Sequence, residues 1–421
     1  MAAIFHNAAS LPSSSASSSS SAAGRLFCTF IPCQQSSFLP EPQMGASSLT
    51  TSSANGLCQF PSTKNVLRGP RRLRLACEAP EVEKLDNKVC LNFMKFVFDS
   101  KKVHSYLQHR PISLEHEKAI IAITGATGFI GTRLVQTLVA GGHEVRVLTH
   151  SASNARSLFS GNMYRRVIIA EENDWPQFVQ GSTGVINLAG PPISTRWNAE
   201  VKAKIKTARI EVTKKVVEAI NRTPQELRPS VLVSATAVGY YGTSENYTFD
   251  ETSPSGNDYL SEVCREWEAT AEKVDSTVRL VLVRIGVVLD KDGGALAKML
   301  PIFKAFAGGP LGSGKQWFSW IHRDDLVSLL VEALSNPAYK GVINGTAPNP
   351  VRMGEMCNRL GVVLGRPSWL PVPEIALKAI LGEGAFVVLE GQRVIPKKAQ
   401  ELGFDFKYRY VADALKASVT S

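Results

Sequence analysis

The sequence predicts an α/β fold, a doubly wound parallel sheet followed by a small, mainly helical C-terminal lobe. Three observations carry this. An apolar run at 119–124 enters a turn holding Gly125, Gly128 and Gly131, with an amphipathic run behind it. From there to about residue 350, short apolar runs alternate with helix-length amphipathic ones, the signature of a parallel sheet with crossover helices. After about residue 351 the pattern becomes helical and is punctuated by Pro367, Pro371, Pro373 and Pro396.

Taken in order, the strand-like runs lie at 119–124, 144–149, 167–170, 184–187, 230–234, 278–285 and 341–344. Helical periodicity fills four of the gaps, at 132–140, 199–221, 261–274 and 323–334. The opening unit, AIIAITGATGFIG at 119–131, carries the most information. The first glycine permits a tight strand-to-helix turn, the second lets backbone approach a pyrophosphate, and the third lets helix pack on sheet. The helix N-terminus behind them offers free N–H groups and the positive end of a dipole. A Rossmann-like, dinucleotide-binding domain over 119–350 follows, with a C-terminal substrate-side lobe over 351–421.

The region before residue 119 differs in kind. The first 76 residues hold 16 Ser and one acid, Glu41, against six basic residues. Such a stretch buries too little apolar surface to offset its ordering entropy. Its Ser-rich, acid-poor, Arg-containing character reads as a transit peptide, and the Met-Ala start with late arginines favours a plastid over a mitochondrion. A merely disordered tail is the alternative. Residues 77–118 are mixed in character and stay unassigned.

The leader also carries half of the charge. Losing its six basic and one acidic residue lowers the net charge from +10 to +5. What remains is too scattered to argue for nucleic acid. Five of the seven cysteines lie within the first 90 residues, and Cys264 and Cys357 lack metal-like spacing. No run of eighteen apolar residues predicts a membrane span.

Cofactor choice turns on the second strand. NAD sites usually place Asp or Glu about 20 residues beyond the fingerprint, on the ribose 2′-OH. Here that strand ends Leu148-Thr149-His150-Ser151, without a carboxylate. With His150 and Arg156 nearby, NADP(H) is expected over NAD(H). Arg156 as an ordinary solvated residue is the competing reading.

Several motifs, in order, resemble a known group. TGATGFIG at 124–131, NLAG at 187–190, SATAVGYYG at 234–242 and RIGVVL at 284–289 are similar to extended short-chain dehydrogenase/reductases. GPPISTRW at 190–197, VCREW at 263–267 and WFSWIHRDD at 317–325 narrow this to an atypical epimerase subfamily, member 1 of family 39U. That group includes cell-division-inhibitor-like bacterial proteins and a plastid-targeted plant branch. The resemblance covers about 119–416. It implies that Gly125, Gly128 and Gly131, with Thr127, Phe129 and Ile130 in the same turn, take the pyrophosphate. Asn187, Ala189 and Gly190 would lie along the cofactor, and the 191–197 loop would face a small-molecule substrate. It also implies a part in plastid division, with a division-machinery partner and peripheral association with the inner envelope.

Active members of the wider superfamily combine Ser or Thr with Tyr-x-x-x-Lys, the lysine one helical turn from the tyrosine. Its charge lowers the phenol pKa toward neutrality. By motif order Thr236 and Tyr259 take the first two positions, and Val263 stands where the lysine belongs. Two readings follow: an NADP-dependent oxidoreductase or epimerase with another proton source, or an NADP(H)-binding regulator that performs no redox step. Replacement groups are Tyr240, Tyr241, His322 and Cys264, each with a packing role as its rival. Arg196, Lys202 and Arg209 form a candidate binding face for an anionic substrate, or a solvated helix face. GGPLGSG at 308–314 reads as a lid or a plain turn. Asp324 and Asp325 read as helix N-caps, without His or Cys partners arranged for a metal.

Overall fold

In the computed structural model, residues 118–420 are described. The transit-peptide reading of 1–76 and the unassigned stretch 77–117 lie outside them, as do five cysteines. Seven parallel strands form the central sheet: β1 (Ile120–Thr124), β2 (Glu144–Leu148), β3 (Val167–Ala170), β4 (Gly184–Asn187), β5 (Val231–Ala237), β6 (Arg279–Ile285) and β7 (Gly341–Gly345). Their spatial order is β7-β6-β5-β4-β1-β2-β3, so the order reverses between β1 and β4. Ligands of such sheets bind outside the carboxyl ends of the strands at that switch point.

Helices cover both faces. They are α1 (Phe129–Ala140), α2 (Ala152–Leu158), α3 (Trp175–Val179), α4 (Ala199–Arg222), α5 (Tyr259–Ala271), α6 (Gly294–Lys304) and α7 (Arg323–Ser335). In the tail they are α8 (Met353–Leu364), α9 (Glu374–Leu381) and α10 (Val411–Thr420). The continuous apolar runs of the sequence are explained by burial on two sides. Ile121, Ile123, Ile186 and Val233 pack under Leu134 and Leu138 of α1 and Leu326 and Leu330 of α7. The alternate residues Ala122, Val185 and Leu232 face Trp175 of α3 and Val216 and Ile220 of α4. Each fully buried Leu, Ile or Val contributes about 1.5–3 kcal/mol.

The tail does more than form a separate lobe. Met356, Cys357 and Leu360 of α8 and Ala414 and Leu415 of α10 share a second core with Leu296 and Leu300 of α6 and with Trp320. This core therefore draws on chain before residue 351. Residues between its helices return to the sheet: Ala399 and Phe406 join the main core, and Arg393–Val394 pairs in parallel with Thr248–Phe249. The sequence pattern missed α2 and α3, which are short, and α6, an 11-residue helix that carries Pro301 inside it.

Of two local readings, the structure decides one for the plain turn and corrects the other. The 308–314 segment is a packed turn. A side chain at Gly309 would collide with the Leu370 carbonyl at 2.0 Å, and Gly312 N–H donates to Val372 O at 2.9 Å. The aspartates at α7 are not its cap. His322 holds that position, its Nδ1 accepting from Asp324 N–H at 3.1 Å. Asp324 binds Arg133 at 2.8 Å, and the Asp325 carboxylate accepts from the N–H groups of Lys407 and Tyr408 at 2.9 Å each. Asp325 thus ties the returning tail to the sheet domain.

Burial pushes the His322 imidazole down to about 4. The folded state holds it neutral, while the unfolded chain protonates it near 6.5. Its contribution is therefore fully present above about pH 6.5 and is lost as pH falls toward 4. Urea unfolding across that window is expected to show falling stability in the native chain and a shallower fall in His322→Asn, which keeps a capping acceptor. Identical pH slopes for the two proteins would refute the assignment.

Candidate active site

The glycine turn is built by close backbone approach. Gly125 has φ +69°, and a side chain there would stand 2.7 Å from the Leu188 backbone. At Gly131 a Cβ would lie 2.2 Å from the Gly125 carbonyl oxygen, so α1 seats directly on the turn. Gly128 N–H donates to Gly125 O at 3.0 Å. Gly128 caps α1 without a side-chain bond, and the first turn holds no acid. The leading N–H groups and the dipole end are left for an anion. These features fit a dinucleotide pyrophosphate. The structure places Thr127 and Gly128 at the mouth of a cleft shared with Arg133, Asp292 and Arg323. Phe129 also lines that cleft, its ring packed on Gly293 and 5.1 Å from the Arg323 guanidinium, while Ile130 packs on the main core.

At the end of β2, Thr149 is buried, its Oγ1 accepting from Ser151 N–H at 3.0 Å. His150 is exposed. Arg156 lies on α2, 3.8 Å from Glu171, with both side chains more than half exposed. A pair this open and long holds the guanidinium weakly.

Asn187 differs from the sequence expectation. It is fully buried, and its amide is spent inside the fold. Oδ1 accepts from Thr124 Oγ1 at 2.6 Å, and Nδ2 donates to Thr213 Oγ1 at 2.9 Å and Ser234 Oγ at 3.1 Å. This one side chain joins β1, β4, β5 and α4, so its side chain does not point along a cofactor. Ala189 and Gly190, just beyond, sit at the strand ends, with Ala189 N in tight contact with Gly125.

Thr236 and Tyr259 do not form a pair through their hydroxyls. Thr236 Oγ1, buried at the end of β5, donates to Glu268 Oε1 at 2.9 Å. Tyr259 O–H donates to the backbone carbonyl of Lys202, and its ring sits edge-on to Trp197 at 5.7 Å. Burial raises the phenol pKa, against an opposing pull from Lys202, Lys206 and Arg209. Tyr259 is thus a neutral hydroxyl turned toward α4.

The group that sequence reading missed is Glu268. It holds Arg284 in a two-point pair, at 2.8 Å to Nε and 2.7 Å to Nη2, with both side chains almost wholly buried. Arg284 Nη1 donates to Tyr241 Oη at 3.1 Å, and Tyr241 O–H donates to Asn344 Oδ1 at 2.7 Å. Burial pushes the Tyr241 phenol up to about 12, and Arg284 stacks 3.3 Å over the Tyr240 ring. Burial likewise pushes the Cys264 thiol up to about 12. Tyr241 and Cys264 therefore serve packing and bonding. The available signal was Arg284 itself, since a charge inside an apolar strand requires a buried partner.

The candidate anion-binding face divides. Lys202 pairs with Glu383 at 2.8 Å, and Arg196 donates to the Ala379 carbonyl. With Trp197 N–H on Leu381 O at 3.0 Å, they latch the C-terminal lobe to the 191–202 segment. Arg209, like Arg196, has only carbonyl partners, Pro191 O at 2.8 Å and Ile205 O at 3.0 Å, but both of its partners lie on the 191–205 segment itself rather than in the lobe.

Comparison with known proteins agrees with this geometry. Residues 121–344 match the NAD dependent epimerase/dehydratase family. The chain belongs to that family. Residues 372–418 match a domain of unknown function. The chain is 67% identical over 305 residues to the protein of Arabidopsis thaliana named epimerase family protein SDR39U1 homolog, chloroplastic, covering 72% of this chain and 88% of that one. It is 39% identical to the epimerase family protein YfhF of Bacillus subtilis, over 70% of this chain and 96% of that one. Among solved structures it resembles human epimerase family protein SDR39U1 with NADPH, at 35% identity and TM-score 0.65, covering 71% and 98%. The doubly wound fold expected from the sequence is the fold found.

Glu268→Gln is expected to lower stability by about 3–5 kcal/mol, because it leaves Arg284 buried without its counter-charge. The double change Glu268→Leu with Arg284→Met should cost less than the sum of the single changes. Urea unfolding measures both, and additive costs would show that the pair is not coupled.

Proposed function

We propose that this protein is a chloroplast NADP(H)-dependent oxidoreductase of the epimerase family, acting on a small hydroxylated or anionic molecule. One observation carries the reading: an intact nucleotide cradle at Gly125–Gly131, beside the switch point of the sheet. Backbone N–H groups at the start of α1 bind the pyrophosphate. His150 and Arg156, beside a strand end without a carboxylate, receive the 2′-phosphate. Bound NADPH supplies a hydride. Trp197, Lys202 and Glu383 hold the lobe against the loop after β4. The NADPH in the human relative and the chloroplastic name of the plant relative support cofactor and compartment.

A second reading, an NADP(H)-binding regulator without turnover, has its own observation. The Thr236 and Tyr259 hydroxyls are bonded to Glu268 and to the Lys202 carbonyl, and Val263 supplies no cation. The plastid-division role and the inner-envelope association rest on the family resemblance alone.

NADPH is expected to bind at least about tenfold more tightly than NADH, the effect of one charge-assisted contact to the 2′-phosphate. Titration of intrinsic fluorescence measures both, and tighter NADH binding overturns the cofactor choice. Gly128→Asp, which puts a carboxylate at the helix N-terminus, should abolish binding while the thermal unfolding midpoint changes little. Loss of reduced-nicotinamide absorbance with a panel of carbonyl compounds and nucleotide sugars decides turnover. Silence across a broad panel favours the regulator.

A further inference from the structure

Helices α4 and α5 lie side by side, and their contacts form a ladder that can be read turn by turn. Thr213 Oγ1 accepts from Trp267 Nε1–H at 2.8 Å and also bonds Asn187 at the end of β4. The outermost rung is Tyr259 O–H on the Lys202 carbonyl. Between these rungs, one turn from Thr213 and one turn from Trp267, stand Arg209 and Val263. Arg209 therefore occupies the level at which a lysine at position 263 would project.

Several features set its guanidinium apart. It sits where β4 ends: a side chain at Gly190 would lie 3.3 Å from its Cζ and Nε, so this glycine is what admits it. It also lies 5.4 Å over the Trp267 ring. It donates only to the carbonyls of Pro191 and Ile205, which leaves Nε–H and two further N–H groups without a protein acceptor. Each neighbouring cation is engaged elsewhere. Lys202 has Glu383, Lys206 has Glu262 and Glu266 at 2.6 Å each, Arg196 has the Ala379 carbonyl in the lobe, and Lys298 has Ser194. Arg279, also part-buried without a carboxylate, is completed by three backbone carbonyls, whereas Arg209 has two and keeps N–H groups that a ligand can take. Burial lowers its pKa, opposed only by Cys264 and Tyr259, with no carboxylate among the opposing groups.

We propose that Arg209 replaces the lysine absent at Val263: it is the cation that holds the nicotinamide-ribose end of NADP(H), delivered from α4 rather than α5. The pyrophosphate end belongs to the start of α1 behind β1. Arg209 stands on the β4–β5 side, where the second nucleotide half must run. The inference rests on the cofactor reading above.

The test compares two ligands on the full chain. NADPH reaches both ends of the crevice, whereas adenosine 2′,5′-bisphosphate lacks the nicotinamide riboside. Arg209→Ala is expected to weaken NADPH about ten- to hundredfold, the effect of losing a charge-assisted hydrogen bond. Binding of the bisphosphate should stay within about twofold by the same arithmetic. Arg209→Gln, which keeps a donor for Pro191 O, should behave alike and guards against a folding defect, with thermal unfolding as the check. Adding Val263→Lys to either variant should recover most of the NADPH affinity. Unchanged NADPH binding in a folded Arg209→Ala overturns the proposal, and so does an equal loss for both ligands. A native chain that binds neither ligand overturns the cofactor reading and this assignment with it. A native chain that binds both, with variants that fail to discriminate, overturns this assignment alone.

Discussion

The buried ion pair between Glu268 and Arg284 is the constraint around which the carboxyl edge of the sheet is arranged. Taking two such charges out of water costs several kcal/mol per ion, and only close, multiply bonded geometry recovers it. Every neighbour contributes to that geometry. Thr236 donates to the carboxylate from β5, Tyr240 stacks under the guanidinium, and Tyr241 passes the network on to Asn344 of β7. Asn344 in turn donates to the Ile395 carbonyl in the returning tail. One charge pair thus links β5, β6, β7, α5 and the C-terminal segment.

That arrangement explains why the expected Thr–Tyr pair is not assembled. Thr236 faces inward because Glu268 needs a donor there. Tyr259 faces α4, where Lys202, Trp197 and the Glu383 latch gather the lobe. The hydroxyls that serve chemistry in the wider superfamily serve packing and lobe attachment here. The nucleotide cradle has no such second duty. Gly125 and Gly131 are dictated by contact distances of 2.7 Å and 2.2 Å that no side chain tolerates. Cofactor binding and proton chemistry are therefore separable in this molecule, the first resting on backbone and the second on side chains already committed.

Much of the fold was legible because its signals are local. The strand runs at 119–124 and 184–187 and the glycine spacing between them each lie within a few residues of the element they specify. Asn187 shows where legibility stops. Its place after the fourth strand was readable, yet its amide turns inward because Thr124, Thr213 and Ser234 converge on it. Nothing near position 187 encodes that convergence. His322 behaves likewise: the start of a helix was visible at 322–325, but which residue caps it depended on Arg133 and the backbone at 407–408 claiming the two aspartates.

The amino-acid sequence by itself determined the doubly wound sheet, the dinucleotide turn, the strand end without a carboxylate and the missing lysine. These follow from periodicity, glycine stereochemistry and residue identity at fixed offsets. Only the tertiary structure decided which polar atoms remain available. It closed Thr236 onto Glu268, 32 residues away, and Tyr241 onto Asn344, 103 residues away, and it left Arg209 with carbonyls alone. The physical reason is that a buried polar group must be satisfied by whatever the fold brings within about 3 Å. Spacing along the chain carries no record of that distance.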